Sequence, residues 1–181
     1  MAPTPRTLLQ RLPAAQQLGR RQTQRALSLL EPRRLATGDV LFEQGTAPDH
    51  LALVLSGSLL VTAVLDDGSS LPLGRVRAGE VVGEMGLLDG APRSGTVTCK
   101  RAGWLLLLSQ ARYQELEFDN DPLLPWLLDL AARSLAQRIS VMTERIAEAA
   151  IDPRVLHALP TESSTRARSW WRWLNRAGQR P

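Results

Sequence analysis

Gly83-Glu84-Met85-Gly86-Leu87-Leu88-Asp89-Gly90-Ala91-Pro92-Arg93-Ser94-Gly95 decides how this chain is read. The window joins a glycine-flanked acid to a proline-preceded arginine. A short helical turn starting near Glu84 leaves its first backbone N–H groups without intrahelical partners, and such groups attract an anion. Pro92 stiffens the approach to Arg93, whose planar guanidinium offers a fork of donors to phosphate oxygens. Glu84 only accepts hydrogen bonds, which suits sugar hydroxyls and repels a phosphate. Gly83, Gly86 and Gly95 let backbone come close to a ligand with no Cβ between them. A sugar phosphate satisfies the whole set.

Around this window the chain alternates between short apolar runs and turn residues. Val40–Glu43, Leu51–Leu55, Ser58–Leu65, Ser70–Val76, Val81–Val82, Gly95–Cys99 and Trp104–Ser109 are predicted strands. Asp66-Asp67-Gly68 is a hairpin signal between two of them. Strands this short and this closely spaced predict a closed or double-layered antiparallel β structure. Ahead of them, Leu18–Leu30 predicts a helix with Leu18, Ala26, Leu27 and Leu30 on a partial apolar face. Glu31-Pro32 ends it, because the residue before proline disfavours helical geometry. Residues 1–17, rich in Pro, Thr and Gln, are expected to form a flexible N-terminal segment.

After Ser109 the period lengthens. Gln110–Glu117 predicts a short helix, and a longer one is expected over about 121–150. Asp121 is placed as its N-cap and Pro122 at its first position, with Pro125 still tolerated in the first turn. Leu124, Leu128, Ala131, Leu135, Ile139, Met142, Ile146 and Ala149 recur at three- and four-residue steps, a heptad seam. Such a seam packs on its own β domain or joins two copies in parallel. Its length and its flanking Arg133, Arg138, Glu144, Arg145 and Glu148 favour a homodimer through Leu128, Leu135, Ile139, Met142 and Ile146. Asp152-Pro153 is expected to end the helix. Residues 151–181 form a basic tail in which Trp170, Trp171, Arg172 and Trp173 cluster. Three readings stand for residues 161–181: a membrane-surface segment at lipid headgroups, a docking segment for a protein partner or the β domain, or a disordered tail.

Composition narrows the function classes. At 181 residues the chain is one domain with appendages, long enough to bury a core. No apolar run reaches membrane-spanning length, and the N-terminus has no apolar stretch of a secretory signal. A single cysteine, Cys99, makes no internal disulfide and fits a cytoplasmic location. The formal charges are +6 for residues 1–34, −6 for 35–150 and +4 for 151–181. An acidic middle argues against the domain body as a nucleic-acid surface. His50 and His157 stand isolated, in a loop and in the tail. No nucleophile is paired with a base and no Cys/His spacing suits a metal, so neither catalysis nor a metal is expected.

At Gly79–Leu88, followed by Pro92-Arg93-Ser94-Gly95-Thr96-Val97, the chain resembles the phosphate-binding cassette of cyclic nucleotide-binding domains. Gly38–Gly45 and Leu53–Leu59 are similar to that family's early strands and their turn glycines. The resemblance runs from about Leu35 to Glu148. It implies an α+β fold: an antiparallel, jelly-roll-like β-roll with an N-terminal helix and a long C-terminal helix, spanning 18–150. It also implies a cytoplasmic regulatory module that binds cyclic AMP or cyclic GMP, cyclic AMP preferred, and passes the event to the long helix. By this resemblance Arg93 pairs with the cyclic phosphate and Glu84 with the ribose 2′-hydroxyl. Gly83 gives close approach, and Ser94 lends its N–H. Val82, Met85 and Gly86 complete the cassette, and Gly95 stands where the family usually has alanine, which is expected to loosen the loop. The base would lie against Val64 and Leu73. In bacterial relatives, two adjacent positions on the long helix contact adenine. They fall on Met142, better read as a seam residue, and Thr143, which can hydrogen-bond a base. The contrary reading makes Glu84 and Arg93 a structural pair in a degenerate cassette.

Relatives that bind DNA carry a helix-turn-helix after the dimer helix. The 31 residues after Ala150, broken by Pro153 and Pro160, do not hold a winged module, so sequence-specific DNA is not expected. Gly79–Ala150 also resembles cyclic nucleotide-binding domains appended to bacterial anion transporters, which leaves a ligand-free accessory domain as the alternative.

Overall fold

A computed structural model describes residues 3–65 and 68–151. Eight strands form two four-stranded antiparallel sheets, ordered β1-β8-β3-β6 and β2-β7-β4-β5. The first sheet comprises β1 (Glu31–Leu35), β3 (His50–Val54), β6 (Val81–Val82) and β8 (Gly103–Ser109). The second comprises β2 (Val40–Phe42), β4 (Ser58–Val64), β5 (Ser70–Arg77) and β7 (Thr96–Arg101). The helices are α1 (Pro5–Arg11), α2 (Arg20–Leu29), α3 (Glu84–Asp89), α4 (Gln110–Phe118) and α5 (Leu124–Ile151). This is the expected α+β β-roll.

The uninterrupted apolar runs explain the layering. Along β3, Leu51 and Leu53 point to a cluster that includes α1, α2, α4 and α5, while Ala52 and Val54 point between the sheets. Leu106 and Leu108 on β8 face the helices, and Leu105 and Leu107 face the other sheet. A strand covered on both faces needs no polar alternation. The hairpin between β4 and β5 forms around the predicted signal, with Leu65 N donating to Ser69 O at 2.8 Å. Asp66 and Asp67 lie outside the described residues.

Two expectations are corrected here. Within residues 1–17, α1 is capped by Thr4 and followed by a 3₁₀ turn, Pro13–Ala15. Its Leu8 and Leu9, with Leu12 and Ala15, are buried in the helical side of the core, and Trp126 Nε1 donates to Ala14 O at 2.8 Å. Burial of four apolar side chains outweighs the ordering cost that the polar composition implied. The second correction is β1, which forms directly after Glu31-Pro32 ends α2. It pairs with β8 on one side only, the setting in which a strand tolerates proline.

The long helix begins at Leu124, slightly later than expected, after a turn in which Asp121 Oδ1 accepts from Leu123 N at 2.9 Å. Its Trp126, Leu127, Leu130, Ala131 and Ser134 are buried. By internal contacts the chain divides into residues 1–138 and 139–181, the boundary falling within α5. Leu128 is exposed and Leu135 half-buried in the first unit, while Ile139 and Met142 are exposed in the second. The proposed helix stop at Asp152-Pro153 and the 161–181 tail lie outside the described residues.

Candidate functional site

The window quoted at the outset folds as α3 followed by the loop into β7. Gly83 caps α3 with φ +85°, a left-handed conformation that glycine adopts without Cβ strain. A Cβ there would lie 2.7 Å from Arg93 Nη1 and 3.1 Å from His50 O. The close approach attributed to Gly83 is thus to the cassette's own arginine. Arg93 is held in place by its backbone: its N donates to Thr46 O at 2.9 Å and its O accepts from Gly45 N at 2.8 Å.

Glu84 and Arg93 are brought together, both buried, at 2% and 4% exposure. The contrary reading of the sequence makes them a structural pair. The structure assigns each a different partner. Arg93 Nη2 bonds Asp49 Oδ1 at 3.0 Å and His50 O at 2.5 Å, and Nη1 bonds Gly83 O at 3.0 Å. Its guanidinium carbon also sits 4.0 Å from the Phe42 ring centroid, a cation–π arrangement. Glu84 Oε1 is paired with Arg138 of α5, whose Nη1 also bonds Val81 O at 3.2 Å. One turn earlier, Ser134 Oγ accepts from Val81 N at 2.9 Å. Arg138, read from the sequence as a seam flank, instead reaches into the cassette.

Two atoms of this pair have no hydrogen-bond partner among the described residues: Arg93 Nε, a donor, and Glu84 Oε2, an acceptor. Burial pushes the Glu84 carboxyl above its ordinary range, opposed by Arg138, by a backbone hydrogen bond and by Arg93. Burial also lowers Arg93, opposed mainly by Asp49, yet an arginine remains charged at any physiological pH.

His50 is not an isolated loop residue. It opens β3, is buried, and its Nδ1 lies 2.7 Å from Asp49 Oδ1. Burial lowers its pKa against the pull of Asp49, with Arg93 and Arg33 adding to the lowering. For Asp49, burial alone would raise the carboxyl, but His50 and Arg93 together hold it below the usual value.

Of the remaining expected residues, Val82, Gly86 and Gly95 are buried. A Cβ on Gly86 would overlap Pro48, and one on Gly95 would lie 2.8 Å from Thr62 O. Met85 and Ser94 are exposed on the surface. Val64 is half exposed at the end of β4. Leu73 sits opposite the register shift between Val61 and Thr62, where β5 carries one unpaired residue. Thr143 belongs to the second unit, where its Oγ1 donates to Ile139 O at 2.9 Å within α5. Sequence reasoning missed Phe42, Asp49, His50, Ser134 and the role of Arg138. Among the described residues, no group of three His, Cys, Asp or Glu is arranged to hold a metal, and no helix is long and apolar enough to cross a membrane.

A glycine-capped turn that holds a buried acid and a buried arginine on a two-sheet β-roll is the arrangement to be compared with known regulatory domains. Residues 32–120 match the model of the cyclic nucleotide-binding domain family, and the chain carries a domain of that family. A cAMP-activated global transcriptional regulator, CRP of Salmonella typhimurium, is 27% identical over 107 residues, 59% of this chain and 49% of that protein. The chain thus spans about half the length of that curated relative. Among solved structures, CLP of Xanthomonas campestris, described as a c-di-GMP responsive global regulator, is similar at TM-score 0.66 and 29% identity. That match covers 80% of this chain and 74% of CLP. The Thermus thermophilus catabolite activator protein is similar at TM-score 0.54 and 27% identity, covering 83% and 63%.

Proposed function

We propose that this chain is a cytoplasmic sensor module, not an enzyme, that takes up a cyclic mononucleotide and couples its binding to the long helix. The single observation that carries this is the pair of unpartnered buried atoms. Arg93 Nε asks for an acceptor and Glu84 Oε2 for a donor. A buried polar atom left unpaired costs about 1–3 kcal/mol. A cyclic nucleotide supplies both needs from one rigid ring system, an anionic phosphate oxygen for Arg93 and a ribose hydroxyl for Glu84. Both atoms lie beneath the surface, so entry requires the cassette turn around α3 to move outward.

Ser94 would add its N–H, and Val82, Gly83, Met85, Gly86 and Gly95 would complete the cassette. Val64, Leu73 and Thr143 are the base-contacting residues of this reading. Cyclic AMP is preferred over cyclic GMP, in line with the name of the Salmonella relative. Arg138 links the cassette to α5, because any ligand that draws Glu84 away must rearrange that ion pair. The same helix is proposed to form a homodimer through Leu128, Leu135, Ile139, Met142 and Ile146. The alternative of a ligand-free accessory or membrane-associated domain, with the 161–181 tail on a membrane or partner, predicts no nucleotide binding at all.

Calorimetry with cyclic AMP, cyclic GMP and cyclic di-GMP tests the reading. Arg93→Ala should weaken cyclic AMP by at least about 1.5–3 kcal/mol, the value of a charge-assisted contact. Arg93→Lys, which keeps the charge but loses the fork, should recover only part of it. Equal binding by all three proteins removes Arg93 from the role, and binding of cyclic di-GMP alone replaces the proposed ligand.

A further inference from the structure

At the end of the first sheet a groove of about 580 Å³ opens between the α2–β1 corner and the start of α4, and the strand residues lining it, Glu31, Arg33, His50, Leu107 and Ser109, lie on the face turned toward the second sheet. That volume lies within the range of small-molecule sites. Leu29, Arg33, Asp49, His50, Ser109 and Arg112 are among its lining residues. Arg33 is exposed and has no ion pair among the described residues. Among the described residues Arg112 is paired only with Glu115, both side chains 54% exposed, a surface contact that yields readily to a better anion. Glu31 is the one acid of the lining whose carboxylate is not already committed, since that of Asp49 holds His50 and Arg93. The groove therefore presents two arginines against one uncommitted carboxylate. It also receives the N-terminus of α4, nine residues long, whose dipole favours negative charge.

One wall of the groove is also part of the cage around the cassette arginine. Asp49 O accepts from Gln110 N at 2.8 Å and so fixes the first residue of α4. The same residue's carboxylate holds Arg93 Nη2, and His50 O holds it from the next position. Arg33 lies near enough to His50 to bias its protonation.

We propose that this groove is a second ligand site, for a small anion bearing a phosphate or carboxylate, and that it is linked to the cassette through Asp49 and His50. The anionic group would sit between Arg33 and Arg112 at the start of α4. Any shift it imposes on Asp49 or His50 is transmitted to Arg93, because no intervening group separates them. Linkage is reciprocal, so the anion must change nucleotide affinity by the factor with which nucleotide changes anion affinity.

The test titrates the full chain with inorganic phosphate, glycerol 3-phosphate and citrate, holding ionic strength constant with chloride. Melting temperature and calorimetry are followed with and without cyclic AMP. At least one probe should stabilise the protein saturably and change the cyclic AMP dissociation constant by about fivefold or more. Arg33→Ala/Arg112→Ala should abolish both effects while leaving cyclic AMP binding in plain buffer intact, and circular dichroism verifies that the variant is folded. No saturable response to any probe, a response that survives in the double variant, or an unchanged cyclic AMP constant overturns the proposal. Only the linkage rests on the nucleotide reading. A saturable anion response in a protein that ignores cyclic AMP would sink that reading and the linkage, but keep the groove.

Discussion

Arg138→Ala separates the buried ion pair from everything else in the cassette. The Arg138 side chain is 24% exposed and that of Glu84 only 3%, so the substitution opens one end of the contact and strands a carboxylate at the other. Breaking a fully buried pair costs about 3–5 kcal/mol. Losing a hydrogen bond to a charged group costs about 1.5–3 kcal/mol. The partial exposure of Arg138 places the expected loss near the lower range, about 2–3 kcal/mol at pH 8. For a chain of this size that is a fall of roughly 4–12 °C in melting temperature. The loss should depend on pH in a specified direction. Burial raises the Glu84 carboxyl above 4.5, and Arg138 is the strongest influence against that rise. Without Arg138 the folded carboxyl titrates higher still. An acid with a raised folded pKa imposes no ionisation penalty below its unfolded value. The penalty grows as pH rises from there through the folded value. The deficit of Arg138→Ala should therefore be smallest near pH 5 and largest at pH 8, by urea denaturation at both. Glu84→Gln/Arg138→Ala, which removes the stranded charge, should be more stable than Arg138→Ala at pH 8. A deficit independent of pH, or a double variant no better than the single, would refute a buried pair between these residues.

Other perturbations probe the surrounding shell. Gly83→Ala places a Cβ 2.7 Å from Arg93 Nη1 at φ +85°, so it should lose about 1–2 kcal/mol from the left-handed backbone and displace the guanidinium as well. Cyclic AMP affinity measured by calorimetry should fall with it, and full affinity would contradict the packing. His50 has its pKa pushed below 6.5, so the folded state resists a proton that the unfolded chain accepts. Stability should fall as pH drops below 6.5, with a slope of at most about 1.4 kcal/mol per pH unit, and His50→Gln should flatten that slope in denaturant titrations. Ser134→Ala leaves Val81 N–H buried without an acceptor, and thermal unfolding should report a loss of about 1–3 kcal/mol. An unchanged melting point would show that Ser134 does not tie α5 to β6.

Seven of the eight strands were legible because turn glycines and short apolar runs bracket them. β1 was not, since four of its five residues are exposed and Pro32 reads as punctuation. α1 was hidden by proline and glutamine around Leu8, Leu9 and Leu12, whose burial depends on a core assembled from distant residues. Glu84 and Arg93 were legible because their neighbours Gly83, Pro92 and Gly95 are local. Asp49 and Arg138 were not, because they meet the cassette across 44 and 54 residues of chain. No periodicity encodes such a meeting. His50 looked like a lone titratable residue for the same reason, its backbone carbonyl contributing as much to Arg93 as any side chain.

The glycine at position 95 packs tightly against its neighbour strand. Thr62 O would stand 2.8 Å from a methyl group there, and Val61 Cγ1 3.3 Å, at the point where β4 and β5 slip register. An alanine at position 95 would thus collide with backbone unless β4 shifted beside it. Residue 95 and the kink at 61–62 are sterically tied, and an engineer who enlarges one must make room at the other.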